Sequence, residues 1–168
     1  TYLILKKANP KLQIGAAVHM AENKPKTPKF LSKLAVYVAD RFGNYFYYDR
    51  LKRHMDFIGF NYYFTNYFDG LKLKFPSSPK SDLGLYMEPS AVAEVAMKLW
   101  KRYQKPIMVT ENGVADAEDQ FRQWWLRETM QALVRARGSG VDLIGYINWS
   151  KLDNFEWAFG WWPKFGLV

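Results

Sequence analysis

"PIMVTENGVAD", residues 106–116, runs Ile107, Met108 and Val109 into Thr110, then sets Glu111 beside Asn112 and Gly113. A near-continuous apolar run opened by Pro and closed by Gly is the pattern of a strand covered on both faces. A strand with one wet face would alternate instead. An acid at the end of such a strand has two readings. It is a strand terminus meeting water, or it is a reactive carboxylate presented at a cleft.

Three more runs of this kind follow outward along the chain: "LQIGAAVHM" (12–20), "MDFIGFNYYF" (55–64) and "LIGYINWS" (143–150). Pro, Gly or charged residues bound each of them. Helical spacing fills the gaps. In 89–103, Ala91, Val92, Val95, Ala96, Leu99 and Trp100 form one stripe behind Pro89, which suits a first turn. In 120–137, Phe121, Trp125, Met130, Leu133 and Val134 form another, stopped by Gly138 and Gly140. A third helix is expected from about 28 to 46, and the opening residues also read as helix. Residues 65–88 are polar and turn-rich and read as a long loop.

Strand alternating with helix implies βαβ units and a parallel sheet in the α/β class. Right-handed crossovers then put the helices outside. A complete (β/α)8 barrel needs roughly 250 residues. With 168 residues and about four strands, the chain reads as half of such a barrel, a single partial domain over 1–168. Reactive groups in these folds sit at the C-terminal ends of strands. Asn61, Tyr62 and Tyr63 end the second run, Glu111 and Asn112 the third, and Trp149 and Ser150 the fourth. Polar groups repeated at one end favour a site over plain strand termini.

Composition narrows the function classes. With 49% hydrophobic residues, the chain has material for a sizeable core, so disorder is excluded. Seven Trp, eleven Tyr and twelve Phe either fill that core or line a carbohydrate or aromatic-ligand site. The net charge of +8 is spread along the chain without a dense basic run or a nucleic-acid motif, so it reads as solvated surface. There is no cysteine, and His19 and His54 are too few for a His-rich metal site, so no metal or cofactor is expected. No apolar run is long enough for a membrane span, and no signal peptide is visible, so a cytoplasmic setting is expected. The chain opens without Met and inside helical pattern, so its true start is expected upstream.

"VTENG" (109–113), "NWSKLDNFEWAFGWWPKFGLV" (148–168) and "DFIGFNYYF" (56–64) together resemble the C-terminal half of a glycoside hydrolase family 1 β-glycosidase. Their order and spacing span nearly the whole chain, matching barrel strands five to eight. The resemblance implies retaining hydrolysis of β-linked glycosides, β-glucosidase-like, through a covalent glycosyl-enzyme. Such chemistry uses two carboxylates about 5–5.5 Å apart, one as nucleophile and one as acid, then base. By resemblance Glu111 is the nucleophile, Tyr63 donates to it, and Asn61 helps order the site. Glu156 matches the residue that accepts from the distal sugar hydroxyls, and Trp157 donates its indole N–H. Trp149 lies flat beneath the sugar, and Phe165 stands near the exocyclic carbon. Tyr62 is assigned to core or rim packing. Trp161 and Trp162 either line the mouth or pack, and Asp153 and Asn154 brace their loop. Glu156, Phe165 and Pro163 argue against the branch that acts on 6-phosphorylated sugars.

The family's acid/base lies in an Asn-Glu-Pro motif on the fourth strand, which this chain does not contain. "MEPS" (87–90) has Glu-Pro without the Asn and at a helix start, so Glu88 is rejected as the acid. The expectation is therefore an enzyme whose partner is the N-terminal half of the same barrel, and which is inactive without it. The alternative is a non-catalytic, sugar-binding or self-associating half-barrel, since strand edges near 12–20 and 143–150 would be unpaired. Neither nucleic acid nor membrane is expected as a partner.

Overall fold

The computed structural model describes residues 1–77 and 79–168. Its centre is a sheet of four parallel strands: β1 (Gly15–Pro25), β2 (Phe57–Asp69), β4 (Ile107–Asn112) and β5 (Leu143–Asn148), side by side in that order. β3 (Lys72–Leu73) folds back antiparallel on the end of β2. The helices are α1 (Tyr2–Ala8), α2 (Phe30–Ala39), α3 (Phe46–Leu51), α4 (Ala91–Tyr103) and α5 (Arg122–Gly138). This is an α/β fold, an arc of four strands from a (β/α)8 barrel, with helices following the first three. β1 and β5 are its edges, where the unpaired edges were expected.

The core lies between the sheet and the helices. Ile58, Phe60 and Tyr62 of β2, with Ile107 and Val109 of β4, pack against Val92, Val95 and Leu99 of α4 and Trp125 and Leu133 of α5. Full burial of such a side chain contributes about 1.5–3 kcal/mol. The other face of the sheet is more open: in β1, Gly15, Ala17 and His19 are exposed while Met20 is buried. The expectation of strands covered on both faces therefore holds on one face only among the described residues. In an arc of four strands no opposing strands stand across the interior.

Two other expectations change. Residues 65–69 extend β2 instead of starting a loop, with 65–68 pairing with Glu22–Pro25 of β1 beyond the register shift at Met20/Glu22 and Asp69 pairing with Lys72 of β3. The helix expected over 28–46 is α2 followed by a π-helical turn, Asp40–Asn44, and then α3. The cause is Asn44. The shift in β1 leaves Ala21 out of the strand register, and the Asn44 amide accepts from its N–H (3.2 Å) and donates to its C=O (2.8 Å). A buried backbone group needs such a partner, and widening the helix brings Asn44 to it.

Candidate active site

β4 ends at Asn112 and delivers Glu111 to the rim of the arc. Tyr63, on β2, donates its hydroxyl to Glu111 Oε2 at 2.8 Å. Burial is the main cause holding the Tyr63 phenol well above its ordinary value, with the Glu111 hydrogen bond and charge adding to it. The phenol therefore stays a donor at any working pH, and Glu111 is held as an acceptor.

Asn112 and Gly113 explain why the acid is followed by this pair. Asn112 is fully buried; its Nδ2 donates to Tyr62 C=O at 2.6 Å, and its Oδ1 accepts from Trp125 Nε1 at 3.0 Å and Tyr146 Oη at 3.2 Å. One side chain thus joins β2, α5 and β5 one residue after Glu111. The Asn112 carbonyl accepts from Trp149 N–H at 2.9 Å. A Cβ on Gly113 would overlap the Trp149 carbonyl oxygen, so only Gly admits this approach. Asn112 was expected only as a strand end; its role as a junction is new. Tyr62 is buried in the core as expected and bonds Thr65 Oγ1 (2.9 Å) and Glu88 C=O (2.7 Å).

Beyond β5 the chain turns back over the rim. Trp149 and Glu156 face the same cavity as Glu111, and Asn154 Nδ2 donates to Glu156 Oε2 at 3.0 Å. Asp153 ties the segment down, accepting from Gly166 N–H at 2.9 Å and from Lys164 at 3.1 Å. The Gly166 bond is the first of the causes that lower its pKa. Trp157 opens a 3-10 turn, Trp157–Phe159, with φ of +46° and 84% exposure. A bulky residue in the left-handed region is an outlier of the kind that clusters at functional sites.

The cavity holds about 280 Å³. Tyr63, Glu111, Trp149, Glu156, Trp157 and Phe165 all line it, as the sequence reading grouped them. Asn61 does not: its Oδ1 accepts from Thr110 Oγ1 at 2.6 Å, bracing β2 against β4 beside the site. His19, Phe64, Leu83 and Leu85 line it without having been foreseen. The signal for His19 was its place in "AAVHM", on the inward-facing alternation of β1; Leu83 and Leu85 sit in irregular chain and gave none. Glu88 is outside the cavity, paired with Lys24 at 2.8 Å and accepting from Tyr67 Oη at 3.0 Å. Trp161 and Trp162 form edge-to-face pairs with Phe155 and Phe159 at the surface, away from the cavity lining. Among the described residues no cluster of three or more His, Cys, Asp or Glu is placed to hold a metal. No described helix is long and apolar enough to cross a membrane.

The family model of glycosyl hydrolase family 1 matches residues 47–168. The chain belongs to glycosyl hydrolase family 1. Among family-1 relatives it is 40% identical over 126 residues to a chloroplastic galactolipid galactosyltransferase of Arabidopsis thaliana, covering 73% of this chain and 20% of that one. It is 35% identical over 135 residues to a β-galactosidase of Sulfolobus acidocaldarius, covering 70% and 28%. A mutant hyperthermophilic β-glucosidase superposes with a TM-score of 0.90 at 31% identity, over 99% of this chain and 40% of that one. The β-glucosidase of Pyrococcus furiosus gives 0.85 at 29%, over 94% and 37%. The chain thus spans less than half the length of each of these family-1 proteins, and its arc matches part of their barrels.

Proposed function

We propose that this chain is the nucleophile-bearing half of a retaining, β-glucosidase-like glycosidase. Glu111 attacks the anomeric carbon and forms a glycosyl-enzyme, which water then hydrolyses. Tyr63 orients Glu111, and Asn61 braces the strand pair beneath it. Glu156 accepts from two sugar hydroxyls, a geometry that reads configuration. Trp157 donates its indole N–H, Trp149 offers a flat face under the ring, and Phe165 closes the pocket near the exocyclic carbon. The acid/base comes from the N-terminal half of the same barrel, barrel strands five to eight being those present here. The open face and free edges of the sheet support that division, as does the fraction of its relatives that the chain covers.

The observation that carries the reading is the 2.8 Å hydrogen bond from Tyr63 to Glu111 inside a cavity that also holds Glu156. Its test is Glu111→Ala in the protein completed by its N-terminal half. Hydrolysis of an aryl β-glucoside should almost vanish, and azide should restore turnover as a glycosyl azide of inverted configuration. Hydrolysis at the unmutated rate would remove Glu111 from the role. A second reading is favoured by the 40% identity to a galactosyltransferase. A sugar hydroxyl, in place of water, takes the glycosyl group from Glu111. Products formed with a glycolipid acceptor present distinguish transfer from hydrolysis.

A further inference from the structure

His19 is the polar side chain of the cavity to which the family reading gives no task. In the sheet register it pairs with Asn61, and Asn61 pairs on its other side with Glu111. His19 and Glu111 therefore stand at one height on the rim, two strand spacings apart, about 10 Å between backbones. The residues proposed to read the sugar come from the opposite flank, after β5. The cavity is thus sided, with Glu156 and Trp157 beyond Glu111 in one direction and His19 in the other.

The imidazole is set in place by aromatic packing. It stacks on Tyr63 (6.1 Å between centroids, 19° between planes) and lies against Phe64 at 5.3 Å. Among the described residues neither ring nitrogen has a hydrogen-bond partner, and the imidazole lines the cavity. Desolvation by burial lowers its pKa, against the opposing pull of the Glu111 charge. A neutral imidazole offers one N–H and one lone pair. Both are free for a ligand.

Resting on the glycosidase reading of this cavity, we propose that His19 is a specificity-determining contact to the leaving group, hydrogen-bonding hydroxyls of the departing sugar or alcohol. In the first step the glycosidic C–O bond breaks, Glu111 bonds to the anomeric carbon, and the leaving oxygen takes a proton from the acid. In the second step water adds, Glu111 is released, and the proton returns to the base. The leaving group is present only in the first step, so His19 acts only there.

The experiment uses the protein completed by its N-terminal half, with His19→Gln and His19→Phe. Cellobiose or lactose, whose leaving sugar carries hydroxyls, is compared with the 2,4-dinitrophenyl glycoside of the same sugar, whose leaving group carries none. In His19→Phe, kcat/KM on the disaccharide should fall about tenfold, the effect of one lost hydrogen bond to a polar group. His19→Gln should recover most of that loss. The ratio of kcat/KM on the disaccharide to kcat/KM on the dinitrophenyl glycoside should fall about tenfold in His19→Phe and largely recover in His19→Gln, since any shift of Tyr63 acts on both substrates and the lost hydrogen bond on one. Equal losses on both substrates, or no loss on either, would overturn the assignment. A parent protein that hydrolyses neither substrate would overturn the glycosidase reading itself, and this inference with it.

Discussion

Tyr63 Oη lies 2.8 Å from Glu111 Oε2, so a phenol on β2 fixes the carboxylate at the end of β4. A hydrogen bond to a charged group contributes about 1.5–3 kcal/mol. Tyr63→Phe keeps the ring that stacks on His19 and meets Phe165 edge-on, and removes only the donor. We expect kcat/KM on an aryl β-glucoside to fall about 10- to 100-fold, the kinetic equivalent of that energy. Steady-state kinetics on the completed protein measure it, and an unchanged kcat/KM would leave Tyr63 as packing alone.

Asn112 holds Glu111 from the other side. Asn112→Ala strips partners from the Trp125 indole N–H and the Tyr62 carbonyl, both buried. Each orphaned group costs about 1–3 kcal/mol, so unfolding in denaturant should show a loss of about 2–5 kcal/mol. Activity should fall as well, through displacement of Glu111. A variant with parental stability would mean that Asn112 does not hold β2, α5 and β5 together.

The strands, the two long helices and most of the cavity wall were legible because each rests on a local pattern. "PIMVTENG" shows its strand by continuous apolarity, and 91–103 shows its helix by spacing. Tyr63, Glu111, Trp149 and Glu156 were found through motifs that are contiguous in the chain. What escaped depends on distant partners. The break after Ala39 arises because Asn44 serves the backbone of Ala21, which no window around residue 44 contains. β2 runs on to Asp69 because β1 continues beside it, while "FTNYFD" alone looks like polar loop. His19 is a cavity residue only because β1 turns its odd-numbered positions inward.

Gly113 tests how closely the rim is packed. Its missing side chain makes room for the Trp149 carbonyl, which is backbone and has no rotamer to yield. Gly113→Ala should cost about 3 kcal/mol, the upper range for overpacking, and should raise KM by shifting Trp149 in the cavity. Thermal unfolding and KM for an aryl glycoside check the two effects. A stable variant with parental KM would contradict the close approach of the two segments.

Glu22 joins β1 to α4 through an ion pair with Lys98 and is 2% exposed, with Oε2 lacking any hydrogen-bond partner among the described residues. Burial is the main cause pushing its carboxyl up to about 7 from an ordinary 4.5; the Lys98 bond and charge oppose this, while Glu94 and Asp40 add to it. A carboxyl whose value is raised on folding binds its proton more tightly in the folded state. Its contribution is present in full below about 4.5 and is lost as pH rises through about 7. Stability should therefore fall between pH 5 and pH 8, by on the order of 3 kcal/mol from this group. His19, lowered below its ordinary 6.5, acts in the opposite sense on the acid side, so Glu22 is isolated by difference. In Glu22→Gln the amide stays neutral, and His19 is unchanged. Denaturant unfolding of both proteins at pH 5, 6.5 and 8 should show the variant gaining on the parent as pH rises. A difference that stays flat across that range would mean that Lys98 keeps Glu22 ionised throughout.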